Sequence, residues 1–246
     1  MTRSGDADGA FQVRSELQRV LSDGPSGAPA ADRLCVACLP LLKVDAAAIS
    51  VIDGGVSRGT YGASSAAARV LDELQFTHGE GPCMDANRDG APVLIEDLRS
   101  PEEKRWPAFV EAARRAGVQA VFAVPIRLGS VGIGALDLFR TEPGPLTSRQ
   151  LRDAQAVAEA GRGTLLDMLT VTDNDRVTEG GNGTSLGRFL PWARVEVGRA
   201  TGMIMAQLCV DSDDALVRLR GYAFAHELSA TDVSQLIIKR ELRLER

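Results

Sequence analysis

The segment 172–187, Thr-Asp-Asn-Asp-Arg-Val-Thr-Glu-Gly-Gly-Asn-Gly-Thr-Ser-Leu-Gly, is the feature that most constrains this chain. A polar, glycine-rich run of this kind offers almost nothing to a core and reads as a flexible linker. It divides the 246 residues into a long N-terminal unit over 11–171 and a short one over 188–246, with 1–10 assigned to a disordered N-terminus. Two domains also suit the length, because single domains usually hold roughly 100–200 residues. With 44% hydrophobic and 25% charged residues, both units have the makings of folded domains.

Before the linker, hydrophobic spacing alternates between the helical and strand periods. Val13, Leu17, Val20 and Leu21 mark a helix over 11–21 that Gly24-Pro25-Ser26-Gly27 terminates. Leu34, Cys35, Cys38, Leu41 and Leu42 share one face of a second helix over 31–42. A buried strand over 46–52 turns at Asp53-Gly54-Gly55 into a second strand over 56–61. A polar helix over 66–74 leads into the loop His78-Gly79-Glu80-Gly81-Pro82-Cys83, then a short helix and a strand over 92–95. A helix over 106–116 stops at Gly117, strands over 120–128 and 132–139 form a hairpin through Gly129-Ser130, and an amphipathic helix spans 147–169. This describes an α+β domain, an antiparallel sheet flanked by helices.

After the linker only helical periods remain, over 192–208, 212–227 and 231–244, with caps expected at Asp211/Ser212 and at Thr231. A bundle of roughly 55 residues is marginal alone. Dimerisation through the 147–169 helix, or an extension of the Trp192 helix, would add burial, and a homodimer is expected.

Charge and cysteine usage narrow the function classes. Net charge is −5 with a pI near 5.2, so the whole chain lacks the basic footprint of a nucleic-acid binder. The segment from Arg188 onward carries +1, against −6 for the rest, and any such binding must be local. No apolar run reaches the roughly 20 residues of a membrane span and the N-terminus has no signal-peptide stretch, so cytoplasmic residence is expected. The four cysteines should stay as free thiols. Cys35-Val36-Ala37-Cys38 has redox spacing, yet both thiols fall beside Leu34 and Leu41 and read as core. With only His78 and His226 and no thiolate or carboxylate cluster, neither metal nor haem is expected, and no cofactor is assigned.

The order of elements in 11–169, with Gly79-Glu80-Gly81-Pro82-Cys83, Pro92-Val93-Leu94-Ile95-Glu96-Asp97-Leu98, Val124-Pro125-Ile126 and 132–138, resembles a GAF domain, in the version frequent in actinobacterial regulators. The resemblance implies a small-molecule sensor whose pocket lies between the sheet and the Gly79–Cys83 loop, with His78, Glu80, Cys83, Phe122 and Asp137 as candidate ligand-binding residues. The chain lacks the Asn-Lys-Phe-Asp-Glu signature of cyclic-nucleotide-binding members, and some domains of this kind serve only for dimerisation. Cys83 reads either as a sensor thiol or as the buried start of a short helix.

In the tail, Ala200-Thr201-Gly202-Met203-Ile204-Met205 matches Ala-x-Gly-x-aliphatic-Met, and Ala215-Leu216, Leu219, Tyr222-Ala223 and 233–238 continue the pattern. The tail resembles a small all-α three-helix ANTAR domain. That resemblance implies binding of paired stem-loops in nascent RNA and prevention of a terminator, hence a transcription antitermination regulator and not an enzyme. Arg194, Arg199, Ala200, Gly202, Met205, Arg218, Tyr222, Lys239 and Arg240 are the candidate RNA-binding residues, joined by Arg220 as a further cation. Splayed bases stack on aromatic and guanidinium planes while cations hold the backbone. Gly202, inside a helix, costs about 1 kcal/mol relative to Ala, which close approach of RNA or of a facing helix would explain. Two rivals remain: a thiol redox enzyme using Cys83, and a DNA-binding regulator, though the tail has no strongly basic recognition helix.

Overall fold

The computed structural model describes residues 3–175 and 194–245, with side chains over 12–167 and 194–245. Residues 176–187 of the expected linker, and 188–193 with Trp192, lie outside the described residues.

The elements run α1 (Arg3–Ser22), α2 (Ala28–Leu42), β1 (Ala46–Asp53), β2 (Val56–Ala63), α3 (Ala66–His78), α4 (Pro82–Asp89), β3 (Val93–Ile95), α5 (Pro107–Arg115), β4 (Ala120–Leu128), β5 (Val131–Arg140), α6 (Ser148–Asp175), α7 (Val195–Leu208), α8 (Ser212–Ala225) and α9 (Ala230–Ile238). The five strands form one antiparallel sheet in the order β2-β1-β5-β4-β3.

Strand alternation divides the core in two. On one face Ile49, Phe122, Val124, Ile126, Leu136 and Leu138 pack against Leu34, Cys35 and Cys38 of α2, Leu17 of α1, and Val157 and Leu165 of α6. On the other, Ala48, Ile52, Val121, Ala123, Ala135 and Phe139 meet Ala68 and Leu71 of α3, Cys83 and Ala86 of α4, and Phe109 of α5. Alanine is frequent at the strand positions of the second face, which lets α3 and α4 approach closely.

Local chemistry sets the helix limits around that face. The Ser65 hydroxyl accepts the Ala68 amide at 3.1 Å to start α3, and left-handed Gly79 ends it. Pro82 then opens α4. Gly81 between them has φ +152°, and a Cβ there would lie 2.5 Å from Gln75 Oε1, so glycine allows the loop to fold onto α3.

Several boundaries differ from expectation. Helix α1 begins at Arg3, within the segment expected to be disordered, and α6 continues to Asp175, past Leu169 and into the expected linker. Asp211 caps α8 as expected, by accepting the Asp214 amide at 2.9 Å, whereas Ser229 and not Thr231 caps α9, accepting the Asp232 amide at 3.0 Å. Helix α9 ends at Ile238 instead of 244, because Arg240 turns left-handed at φ +62° and the Glu241 amide returns to the Leu236 carbonyl. The turn folds Leu244 back onto the tail core, a cluster of Val197, Ala200, Ile204, Leu208, Leu219, Ala223, Val233 and Ile237 that also takes in Phe76 of α3.

Candidate functional site

Beneath α3, on the alanine-rich face of the sheet, sits a polar centre closed to solvent. Ser50 (β1), Thr60 (β2), Asp72 and Gln75 (α3), Cys83 (α4) and Asp137 (β5) are all buried. The Ser50 hydroxyl donates to Asp72 Oδ1 at 2.5 Å and lies 3.1 Å from Asp137 Oδ2, while the Thr60 hydroxyl donates to Asp72 Oδ2. Gln75 Oε1 accepts the Cys83 amide at 2.8 Å. Gln75 Nε2 and Asp137 Oδ1 have no hydrogen-bond partner of good geometry.

Counting protons explains this arrangement. Ser50 has one hydroxyl proton for two carboxylates, so its two close contacts require a further proton on the Asp72–Asp137 pair. Burial pushes Asp137 up to about 8, the neighbouring Asp72 carboxylate adds to the rise, and Gln75 and Ser50 oppose it. The centre therefore keeps a proton in the core at a pH where an ordinary aspartate would have lost it. It supplies no thiolate. Burial foremost, then Asp137 and Asp72, holds the Cys83 thiol well above its ordinary value. Cys35 is likewise raised and Cys38 is pushed up to about 12, both chiefly by burial, and none of the four cysteines is bonded to another.

The outer side of the same helix carries the tail. Arg194, just ahead of α7, keeps only 7% of its side chain exposed. Its Nε donates to Glu73 Oε2 at 2.9 Å, its Nη1 to Ser57 Oγ at 3.1 Å, and its guanidinium lies 3.9 Å from the Phe76 ring centre. The Arg220 guanidinium lies over the same ring at 4.6 Å. Thr231 Oγ1 donates to Glu73 Oε1 at 2.9 Å, and the Ala230 amide to Thr77 Oγ1 at 3.2 Å.

The other candidate residues of the tail are divided by helix phase. Ala200 is buried in the tail core, whereas Arg199, Gly202, Met205, Arg218, Lys239 and Arg240 are exposed. Tyr222 is half-buried and stacks on His226 with ring centres 3.8 Å apart. A Cβ built on Gly202 would meet nothing within 4 Å, so no facing helix accounts for this glycine.

The family model described as "GAF domain" matches residues 30–161, more than half of the chain. The chain belongs to the GAF domain family. Among solved structures, the GAF domain from a phosphoenolpyruvate-protein phosphotransferase of Coxiella burnetii superposes with a TM-score of 0.53 at 15% identity, over 68% of this chain and 98% of that one. Its counterpart from an Acinetobacter phosphoenolpyruvate-protein phosphotransferase gives 0.50 at 12%, over 66% and 96%. At these identities the likeness concerns the fold. No curated protein matches the chain.

Within the GAF domain the five candidate ligand-binding residues do not converge. Asp137 and Cys83 meet at the polar centre. Phe122 pairs with Leu138 and packs on the α2/α6 face, the opposite side of the sheet from Asp137, whose partner is Ala123. Glu80 Oε1 accepts the Ala108 and Phe109 amides at 2.8 and 3.1 Å and so holds the N-terminus of α5. His78 turns towards the tail, edge-on to Phe224 at 5.8 Å, and burial lowers its pKa. Sequence reasoning missed Asp72, Gln75, Ser50 and Thr60. The signal present was the helical phase of Ala68, Leu71, Asp72 and Gln75, which puts two polar residues in line with two apolar ones. Among the described residues there is no metal-binding group of three or more His, Cys, Asp or Glu, and no helix is long and apolar enough to cross a membrane.

A GAF sensor domain gives the chain a signal-sensing, regulatory role.

Proposed function

We propose that this chain is a cytoplasmic, signal-responsive RNA-binding regulator, in which the GAF domain controls an ANTAR-like tail that binds paired stem-loops and prevents transcription termination. The observation that carries this reading is Gly202. Helix α7 bears the roughly 1 kcal/mol cost of an interior glycine, yet nothing in the fold occupies the space beside it. Bare backbone on an exposed helix face, with Arg199, Met205 and Arg218 also exposed, suits an RNA partner that must approach closely. Lys239 and Arg240 add two exposed cations after α9. A homodimer and a small molecule acting on the GAF domain complete the proposal. The thiol-redox alternative needs a Cys83 thiolate, which burial beside Asp137 opposes.

The test is a titration of the full chain with a double stem-loop RNA and a matched DNA duplex at two salt concentrations. Preferential, salt-sensitive RNA binding is expected, and Lys239→Ala should flatten the log–log salt slope by roughly 0.7, because the lysine no longer neutralises a phosphate. Equal affinity for the DNA duplex, or no binding to either, would overturn the reading.

A further inference from the structure

The contact between the tail and α3 has a chemistry that docking alone does not require. Its sensor side presents one carboxylate, Glu73, and one ring, Phe76, as neighbours on a helix. Its tail side presents two guanidiniums, Arg194 and Arg220, both lying over that ring, with Arg194 also paired to that carboxylate. An arginine with its plane on an aromatic ring and its fork on an anion is how guanidinium groups hold a base and a phosphate.

We infer that α3 of the GAF domain is an internal competitor for RNA: Glu73 takes the place of a phosphate and Phe76 the place of a base on Arg194 and Arg220, so that the docked tail and an RNA-bound tail exclude one another. This rests on the RNA-binding reading of the tail.

The contact is built to be displaced. The one carboxylate pairs with Arg194, and the Arg220 Nε is buried without a partner. Burial, and then the neighbouring Arg194, lower Arg220 to about 10, a sign that its charge is poorly matched where it sits. A polyanion would satisfy both arginines. The rest of the dock is mainly polar and small: Thr231 to Glu73, Ala230 to Thr77, the Arg194 amide to the Arg58 carbonyl, the edge contact of His78 with Phe224, and an exposed Arg115–Glu227 pair at 3.0 Å. Exposed pairs of that kind contribute little, which leaves the arginine clasp as the principal attachment beside the Phe76 ring.

The position of the clasp also supplies its control. Glu73 and Phe76 each follow directly after a residue of the buried polar centre, Asp72 and Gln75. Since α3 carries both sets on one short rod, a change at the centre that shifts or rotates α3 moves the clasp with it.

The test uses the full chain and a double stem-loop RNA. Glu73→Gln keeps the side-chain shape and removes the charge. Thr77→Val removes the acceptor for the Ala230 amide without changing charge. Each should tighten RNA binding, Glu73→Gln by about tenfold, and each should speed hydrogen exchange at the Ala230 amide and at the Arg194 amide, which donates to the Arg58 carbonyl at 3.2 Å. Asp213→Asn, at an exposed position of α8, measures what removing one negative charge does by itself and should have a much smaller effect. Arg220→Gln should weaken RNA binding. Faster exchange with unchanged RNA affinity in both sensor variants would overturn the competition while leaving RNA binding intact. So would RNA binding to the unaltered chain that leaves exchange at Arg194 and Ala230 as it was. Failure of every variant to bind RNA would overturn the reading of the tail and the competition with it.

Discussion

Asp137→Asn tests the proton count in the buried centre. In the folded chain Asp137 holds its proton up to about 8, whereas an unfolded aspartate releases it near 3.8. Over that window the folded state binds one proton more than the unfolded state, so stability falls as pH rises and levels off above the folded value. The slope for one proton is about 1.4 kcal/mol per pH unit. Asparagine has the same shape, takes up no proton at any pH in this range, and offers Nδ2–H to Ser50 where protonated Asp137 offers O–H. Titrating groups remote from the Asp72–Asp137 pair are common to both proteins and cancel in the difference. The stability advantage of Asn over Asp should therefore widen by about 3 kcal/mol between pH 5.5 and 7.5. Urea unfolding of both proteins at half-unit steps, followed by tryptophan fluorescence and circular dichroism, measures that difference. A gap that stays constant or narrows as pH rises would mean that Asp137 does not hold the proton, and the account of the centre would be wrong.

Gly202→Ala should raise the unfolding free energy of the tail by up to about 1 kcal/mol, since the added Cβ meets nothing within 4 Å; a decrease would reveal packing against the glycine. In the folded protein iodoacetamide should attach once, at exposed Cys209, leaving buried Cys35, Cys38 and Cys83 unmodified, as intact-mass measurement would register. Gly81→Ala combines a φ of +152° with a clash against Gln75, so it should cost about 1–3 kcal/mol in denaturant unfolding and speed exchange at the Cys83 amide.

The fold was readable where one physical rule acts alone. Strand alternation in 120–128 and 132–139, the glycine turns of both hairpins, and the Asp211 cap each follow from neighbours in sequence, and each stands in the structure as expected. Errors gathered where two rules compete. Apolar spacing continues past Ile238 to Leu244, but a left-handed turn at Arg240 brings Leu244 to the core by another route. Thr231 and Ser229 are both able to cap, and the position of Ala230 under Thr77 favours the earlier one. Strand parity separates two of the candidate ligand-binding residues: the register of β4 against β5 sets Asp137 opposite Ala123 and turns Phe122 to the other face.

The residues that carry the most chemistry were the least legible, because their partners are far away in sequence. Asp72 meets Ser50 at a separation of 22 residues and Ser50 meets Asp137 at 87. Arg194 meets Glu73 at 121. Nothing local marks these pairs. What the sequence did contain was a helix, α3, with polar residues on every side yet no run of like charges to keep it in solvent. A helix with polar residues on every side meets either solvent or a partner at each of them. Here it has partners on two sides: the sheet and α4, reached by Asp72 and Gln75, and the tail, reached by Glu73, Phe76 and Thr77. Polar contacts on both sides make α3 a helix whose position is set by hydrogen bonds and ion pairs as well as by apolar packing. Such contacts depend steeply on charge and geometry, which suits the coupling proposed between the buried centre and the tail.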